Sequence, residues 1–245
     1  MTAGHARISR GGAAAGEATE VDVFLYDIPK NNDELVKLLE NRRNYLGLDG
    51  FDRRILAVMR KTDRALFAPP DTKNIYEDEP FKIGCGQTCS QPSMVAAMAT
   101  LLDLEPGLKV LEVGTGCGYS AAATAPLLDP GGMLFTVEIV PELAEAAERT
   151  IAQLGRGANI CFISGDGSAG LPGEAPFDRI YFTAGTGAQF REQVLLDQLK
   201  HGGILLYPEA YGQMHFLKKT PAGIERRTLG GVGFVHLKGE NSGFD

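Results

Sequence analysis

Val110-Leu-Glu-Val-Gly-Thr-Gly-Cys-Gly-Tyr119 lies near the middle of this 245-residue chain and packs three kinds of local signal into ten positions. Val110, Leu111 and Val113 follow Pro106-Gly107 and make the apolar, β-branched run expected of a buried parallel strand. Gly114, Gly116 and Gly118 let the backbone turn tightly and approach a ligand where a Cβ would collide. Tyr119 to Leu128 is alanine-rich and favours a helix, so the glycines sit at a strand-to-helix turn. The next apolar run, Met133 to Val137, reads as a second strand ending in Glu138, whose carboxylate suits the two hydroxyls of a ribose.

The spacing separates the possible nucleotides. A dinucleotide fold uses GxGxxG with helix-terminal amides facing a pyrophosphate, whereas this chain has GxGxG preceded by Glu112. An acid just before the glycines is poorly placed for a phosphate and well placed for an ammonium group or a sulfonium neighbourhood. S-adenosylmethionine is therefore favoured over NAD. A glycine turn alone is also a common connector, and the adenosyl reading gains its weight from Glu112, Glu138 and the later Gly165-Asp166-Gly167 together.

Working outward, strands are expected at 109–113, 133–138, 159–163, 178–183 and 203–208, with helices at 119–128, 141–154 and 189–200. Alternation of this kind implies a parallel sheet with right-handed crossovers. The segments 213–219 and 224–237, around Thr220-Pro-Ala-Gly223, read as antiparallel strands closing one edge. Upstream, Asp33 to Tyr45 carries Leu35, Leu38 and Leu39 at helical spacing with Asn32 or Asp33 as cap. Asp52 to Met59 reads as a second short helix, and Pro92 opens an amphipathic third. Residues 1–30 are expected to be a flexible arm, and 31–245 a single catalytic domain.

Composition narrows the function classes. The chain is 44% hydrophobic and 22% charged, enough to bury one sizeable core. A net charge of -7 argues against a nucleic-acid surface, and no apolar run is long enough to span a bilayer. With no secretory layout at Met1-Thr-Ala-Gly-His and no disulfide framework among Cys85, Cys89, Cys117 and Cys161, a cytoplasmic location is expected. Cys85 and Cys89 lack a second cysteine pair or a nearby histidine to complete a tetrahedral site, so no metal is expected.

Ile83-Gly-Cys-Gly-Gln-Thr-Cys-Ser-Gln-Pro92 carries the most specific likeness. Together with 110–119, Thr136-Val-Glu-Ile-Val-Pro-Glu-Leu143, Gly165-Asp-Gly167, Ala175-Pro-Phe-Asp178 and Gly231-Val-Gly-Phe-Val-His-Leu237, it resembles the protein-L-isoaspartate O-methyltransferases over roughly residues 50 to 238. The resemblance implies a class I S-adenosylmethionine-dependent methyltransferase fold, which is Rossmann-like, with a mostly parallel sheet, terminal antiparallel strands and an N-terminal helical layer. It implies methyl transfer to the free carboxylate of isoaspartyl residues in damaged proteins and peptides, with S-adenosyl-L-homocysteine as product. The ester then closes to a succinimide whose hydrolysis partly restores aspartate.

By the same resemblance Ser90 is the active-site hydroxyl, with Gln87 and Thr88 shaping its loop. Glu112, Gly114 and Gly116 would line the methionine side, Glu138 the ribose, and Asp166 with Gly167 the adenine, with Thr115 and Ile139 also among the cofactor-binding residues. On local sequence Ser90 could equally cap the helix that starts near Pro92, and Asp166 could serve only its own turn. The segment Thr183-Ala-Gly-Thr-Gly-Ala-Gln-Phe190 lacks the prolines usual in the family, Cys89 replaces an aliphatic residue, and His236 stands where proline is common. Two alternatives remain open at this point. One is a carboxyl methyltransferase of the same fold acting on an aspartate of a dedicated peptide or on a small molecule; the other is a non-catalytic adenosyl-ligand binding protein.

Overall fold

The computed structural model describes residues 28–244, so the expected N-terminal arm lies outside the described residues as far as residue 27. Strands β3 (Lys109–Val113), β4 (Met133–Glu138), β5 (Ile160–Ser164), β6 (Phe177–Phe182) and β7 (Leu199–Pro208) pair in parallel. Strands β8 (Tyr211–Thr220) and β9 (Gly223–Gly233) then add antiparallel to β7. The order across the sheet is β5-β4-β3-β6-β7-β8-β9. From β3 the chain winds outward through β4 to β5, then returns past β3 to begin β6. The carboxyl end of β3 is thus the point where winding reverses and a crevice opens.

Successive residues of the central strands feed opposite faces, as strand geometry requires. Val110, Leu134 and Tyr181 pack into one core with helices α2 (Arg53–Arg60), α3 (Pro92–Leu101) and α4 (Tyr119–Thr124). Leu111, Val137, Ile180 and Phe182 pack into a second core with Leu195 and Leu196 on the other face. Burial on both faces explains why β3, β4 and β6 read as near-continuous apolar runs. Among the described residues, no helix is long and apolar enough to cross a membrane.

Several expected boundaries move for identifiable reasons. Helix α1 runs Asn32–Glu40 and is capped by Asn31, whose side chain accepts from Glu34 N, rather than by Asn32 or Asp33. Asn32 is buried instead, with its amide donating to the carbonyls of Met59 and Arg60. The helix expected over 119–128 is α-helical only to Thr124, and Ala125–Leu128 is a 3-10 turn at Pro126, which has no N–H to continue the ladder. The helix expected over 189–200 shrinks to α6 (Gln193–Leu196). Leu199 has already joined β7 there, paired with Phe177, because sheet pairing and burial outweigh local helix propensity.

A short hairpin, β1 (Phe81–Gly84) with β2 (Gln87–Cys89), stands where the sequence suggested only a loop. Its turn runs through Gly84, Cys85 and Gly86, all with positive φ. Helix α5 (Pro141–Gln153) follows β4 as expected. At the C-terminus the chain leaves β9 at Gly233, four residues before the expected end of that strand at 237. Residues 234–237 cross back to bridge Gly185 through His236.

Candidate active site

The crevice at the carboxyl end of β3 has two lobes of about 480 and 370 Å³, counting their open mouths. Both lie in the size range of small-molecule sites, and Gln87, Gly114, Glu138 and Ala184 border both. The glycine turn forms the floor. Gly114 N and Thr115 N donate to Val137 O at 2.8 and 3.3 Å, which ties the turn to the end of β4. The Thr183 hydroxyl, at the end of β6, donates to Val113 O at 3.2 Å and to Gly114 O. Gly114 has φ 101°, and a Cβ on it would strike the Thr183 side chain, so the close approach of β3 and β6 requires glycine.

Glu138 occupies the border between the lobes. Its Oε2 accepts from Gly116 N at 2.8 Å and its Oε1 from Val140 N at 3.0 Å. A carboxylate has about four acceptor sites, so roughly two remain for hydroxyls of a bound ribose. Ile139 is partly exposed beside it, and Gly167 faces the second lobe. A Cβ on Gly167 would lie 3.0 Å from the Val137 side chain and 3.1 Å from Val113, so this turn can pack against β3 and β4 only because that position has no side chain.

Two predicted residues, Glu112 and Asp166, take positions that the sequence did not disclose. Glu112 does not line the methionine side as expected, because it is fully buried beneath the glycine turn. Its carboxylate accepts from the Thr136 hydroxyl at 2.6 Å and the Tyr181 hydroxyl at 2.8 Å. Thr115 is linked to the same group through Thr136 at 2.6 Å, and Ser120 approaches Tyr181 at 3.3 Å. Glu112 is thus a hub that braces both sides of the turn from below.

Asp166 directs Oδ1 to Ser168 N and Oδ2 to Glu240 N, each at 2.8 Å, and so grips the C-terminal segment. Burial raises its pKa, but these backbone amides outweigh burial and hold it below the ordinary carboxylate value.

Ser90, Gln87 and Thr88 line the first lobe together with Thr115 and Gly116. The helix-cap role for Ser90 is not used: Gln91 is the N-cap of α3, and Asp78 accepts from Ser93 N at 2.8 Å. Among the described residues no hydrogen bond engages the Ser90 hydroxyl, which leaves it available to a ligand.

The backbone of Ser90 is held by a residue that the sequence reading missed. Arg64 is fully buried, and its guanidinium donates to the carbonyls of Ser90 (2.9 Å), Ile75 (2.8 Å), Glu77 (3.1 Å) and Glu79 (2.8 Å). It also stacks on Phe81 at 4.5 Å. A lone arginine between two short helices gives no local signal of this role. His236 and Lys238, near the C-terminus, border the second lobe.

Burial raises the Glu112 pKa from an ordinary 4.5 to about 7, against the opposing pull of hydrogen bonds from Thr136, Tyr181 and Ser120. The folded state therefore binds this proton more tightly than the unfolded chain. That contribution to stability is fully present below the unfolded pKa and is lost as pH rises through about 7. Glu112→Gln cannot titrate, so its stability relative to the parent protein should rise by about 3 kcal/mol between pH 5 and pH 9. Urea unfolding at several pH values measures this, and a pH-independent difference would reject the assignment.

Comparison with known proteins places these features in a family. The model for protein-L-isoaspartate(D-aspartate) O-methyltransferase matches residues 30–242. A Methanothermobacter thermautotrophicus protein-L-isoaspartate O-methyltransferase is 46% identical over 190 residues, covering 75% of this chain and 86% of that protein. Protein-L-isoaspartate O-methyltransferase 2 of Archaeoglobus fulgidus is 43% identical over 208 residues, covering 83% and 92%. Among solved structures, a protein-L-isoaspartate O-methyltransferase superposes with a TM-score of 0.75 at 26% identity, covering 86% of this chain and 67% of that one. A Plasmodium falciparum protein described as a beta-aspartate methyltransferase, in complex with S-adenosyl-L-homocysteine, superposes with a TM-score of 0.70 at 24% identity over 86% of this chain and 99% of that one. With a switch-point crevice floored by a GxGxG turn and a family match across nearly the whole described structure, this chain belongs to the protein-L-isoaspartate(D-aspartate) O-methyltransferase family.

Proposed function

We propose that this protein transfers the methyl group of S-adenosylmethionine to the free carboxylate of L-isoaspartyl residues in damaged proteins and peptides, acting in the cytoplasm. The observation that carries this reading is that the unengaged Ser90 hydroxyl shares one cleft with the glycine turn and Glu138. The second lobe fits an adenosyl group, since Glu138 keeps free acceptor capacity and Val113, Val137, Ile139 and Gly167 offer a largely apolar wall to a flat ring. When bound, the cofactor supplies an electrophilic sulfonium methyl.

The acceptor carboxylate has an ordinary pKa near 4 and is ionised at neutral pH, so the chain has no proton to remove. Its residues have two tasks, alignment and exclusion of water. Gly114, Gly116 and Glu138 hold the adenosyl side, while Ser90 donates to one acceptor oxygen and turns the other toward the methyl carbon. Ser90 is not read as a covalent nucleophile, because among the described residues no histidine or lysine borders the first lobe to activate it.

Labelled S-adenosylmethionine with an isoaspartyl peptide and its normal aspartyl twin tests the reading. Label should enter the isoaspartyl peptide. Methylation confined to the aspartyl twin, or cofactor binding without methylation of either, would overturn the assignment. Ser90→Ala should lower kcat by about 10-fold to 100-fold, the value of one hydrogen bond to a charged group. The cofactor Kd by calorimetry should stay within about twofold, since adenosyl contacts are distributed elsewhere.

A further inference from the structure

Glu112 is fully buried beneath the glycine turn, yet among the described residues no lysine, arginine or histidine forms an ion pair with it. Buried carboxylates are normally paired with a cation. Here the hydrogen-bonding partners are neutral hydroxyls, Thr136 from β4 and Tyr181 from β6. Helix α4 adds Ser120 at 3.3 Å and Thr124 at 3.4 Å from the Tyr181 oxygen. Two titratable groups face Glu112. Tyr181 is held above its ordinary pKa by burial and then by Glu112 itself, so it keeps its proton, while Glu138 on β4 adds a like charge.

A hydroxyl has one proton to donate, which fixes the direction of each bond in the network. When Glu112 is ionised, Thr136 and Tyr181 spend their protons on it at 2.6 and 2.8 Å. Thr115, 2.6 Å from the Thr136 oxygen, must then donate inward, and so must Ser120 toward Tyr181. Thr115 and Ser120 both border the first lobe, to which they can offer only lone pairs. Two relays thus carry the charge of a buried acid to the cleft wall and make that wall an acceptor for a cation. When Glu112 is protonated it becomes a donor, a relay can reverse, and its outer hydroxyl turns a proton to the cleft. Burial holds Glu112 at about 7, so both states are populated near neutral pH.

We propose that these relays make cofactor binding proton-linked: the ammonium end of the S-adenosyl ligand rests against the Ser120 and Thr115 oxygens, Glu112 ionises, and its proton passes to solvent. The ammonium keeps its three protons, and no bond to carbon forms or breaks. The proton that Glu112 loses moves outward through the Thr136 and Thr115 hydroxyls to the cleft, where buffer takes it up. Bound cation and ionised Glu112 stabilise one another. Affinity for the cationic ligand therefore rises with pH up to about 7 and levels off above it.

The inference rests on the proposed reading in one respect, that the adenosyl group fills the second lobe and leaves the aminoacyl end to the first. It does not depend on the acceptor. An adenosyl thioether without the aminoacyl end fills the second lobe alone and leaves Glu112 protonated as before. His236 and Lys238 border that lobe, so the same ligand also reports any proton that they exchange. A fall of about one unit in the Glu112 pKa on binding corresponds to about 10-fold in affinity.

Calorimetry of the full-length protein with S-adenosyl-L-homocysteine, in phosphate and in imidazole buffer at a pH of about 6.5, counts the protons exchanged from the buffer dependence of the heat. About half a proton should be released per ligand bound, and Kd should fall about 10-fold between about pH 5 and pH 8.5. 5′-Methylthioadenosine, which lacks the ammonium end, should bind without release. Glu112→Gln should bind S-adenosyl-L-homocysteine without release. A second variant, Thr115→Val with Ser120→Ala, keeps the acid and cuts both relays, and its release should be at most half that of the parent. Proton uptake or no exchange in the parent protein, equal release with 5′-methylthioadenosine, or undiminished release in either variant would each overturn the proposal. Should the protein methylate no isoaspartyl peptide, the functional reading fails, and the proton count still judges the relays.

Discussion

Arg64→Ala is expected to lower the free energy of unfolding by about 4 kcal/mol, the largest effect of any single substitution considered. The side chain is fully buried, and its fork gathers four backbone carbonyls that no helix or sheet ladder satisfies. Three of them belong to residues 75–79, an irregular stretch that cannot pair with itself, and the fourth is that of Ser90. Truncation leaves the Ile75, Glu77 and Glu79 carbonyls in a low-dielectric interior with no donor and Ser90 O with only the weak Cys89 thiol at 3.6 Å, and each unsatisfied group costs about 1–3 kcal/mol before relaxation. The stacking on Phe81 is lost with it.

Arg64→Lys retains the charge but not the planar fork, so most of the loss should persist, at about 2–3 kcal/mol. Urea denaturation of both variants measures this. A lysine variant as stable as the parent would show that charge, and not the fork geometry, holds the segment. Because the Ser90 carbonyl is one of the four, kcat should fall in the surviving folded fraction even when cofactor is saturating.

Glu138→Ala should weaken S-adenosylmethionine binding by about 100-fold, or about 3 kcal/mol. Two losses combine. The carboxylate oxygens no longer accept from the ribose hydroxyls in the proposed complex, and Gly116 N and Val140 N lose the acceptor that holds the turn to the end of β4. Glu138→Gln separates them. An amide keeps one acceptor oxygen and replaces the other with a donor, so one loop tether survives and affinity should fall by about 10-fold. Calorimetry with S-adenosyl-L-homocysteine reads both variants. Equal affinity in the alanine variant and the parent protein would remove Glu138 from the site.

Much of this architecture can be read from local pattern. Strand β3, the turn and α4 are written in ten consecutive residues, and β-branched runs separated by helix-length segments dictate a parallel sheet with crossovers. Ser90, Gln87 and Thr88 were also identifiable, because their motif is contiguous and the hairpin delivers it whole to the cleft wall. Short-range signals of periodicity, glycine placement and capping suffice for such features, since each is satisfied within a few residues of where it is written.

The roles of the ionisable groups lie beyond that reach. Glu112 and Glu138 look alike in sequence, yet one lies under the turn with a raised pKa and the other borders the cleft, because Tyr181 arrives from β6 to cover only the first. Asp166 turns to the C-terminal segment because the Glu240 amide reaches it, and Arg64 becomes a structural hub because four distant carbonyls converge on it. Helix 189–200 gave way to β7 for a related reason, since pairing with Phe177 and burial of Leu199 offered more than one further turn of helix could. Composition and spacing were enough for the order of elements and the place of the crevice. The protonation, pairing and direction of each polar side chain came from contacts between residues far apart along the chain, where desolvation and hydrogen-bond geometry operate only once the sheet has brought them together.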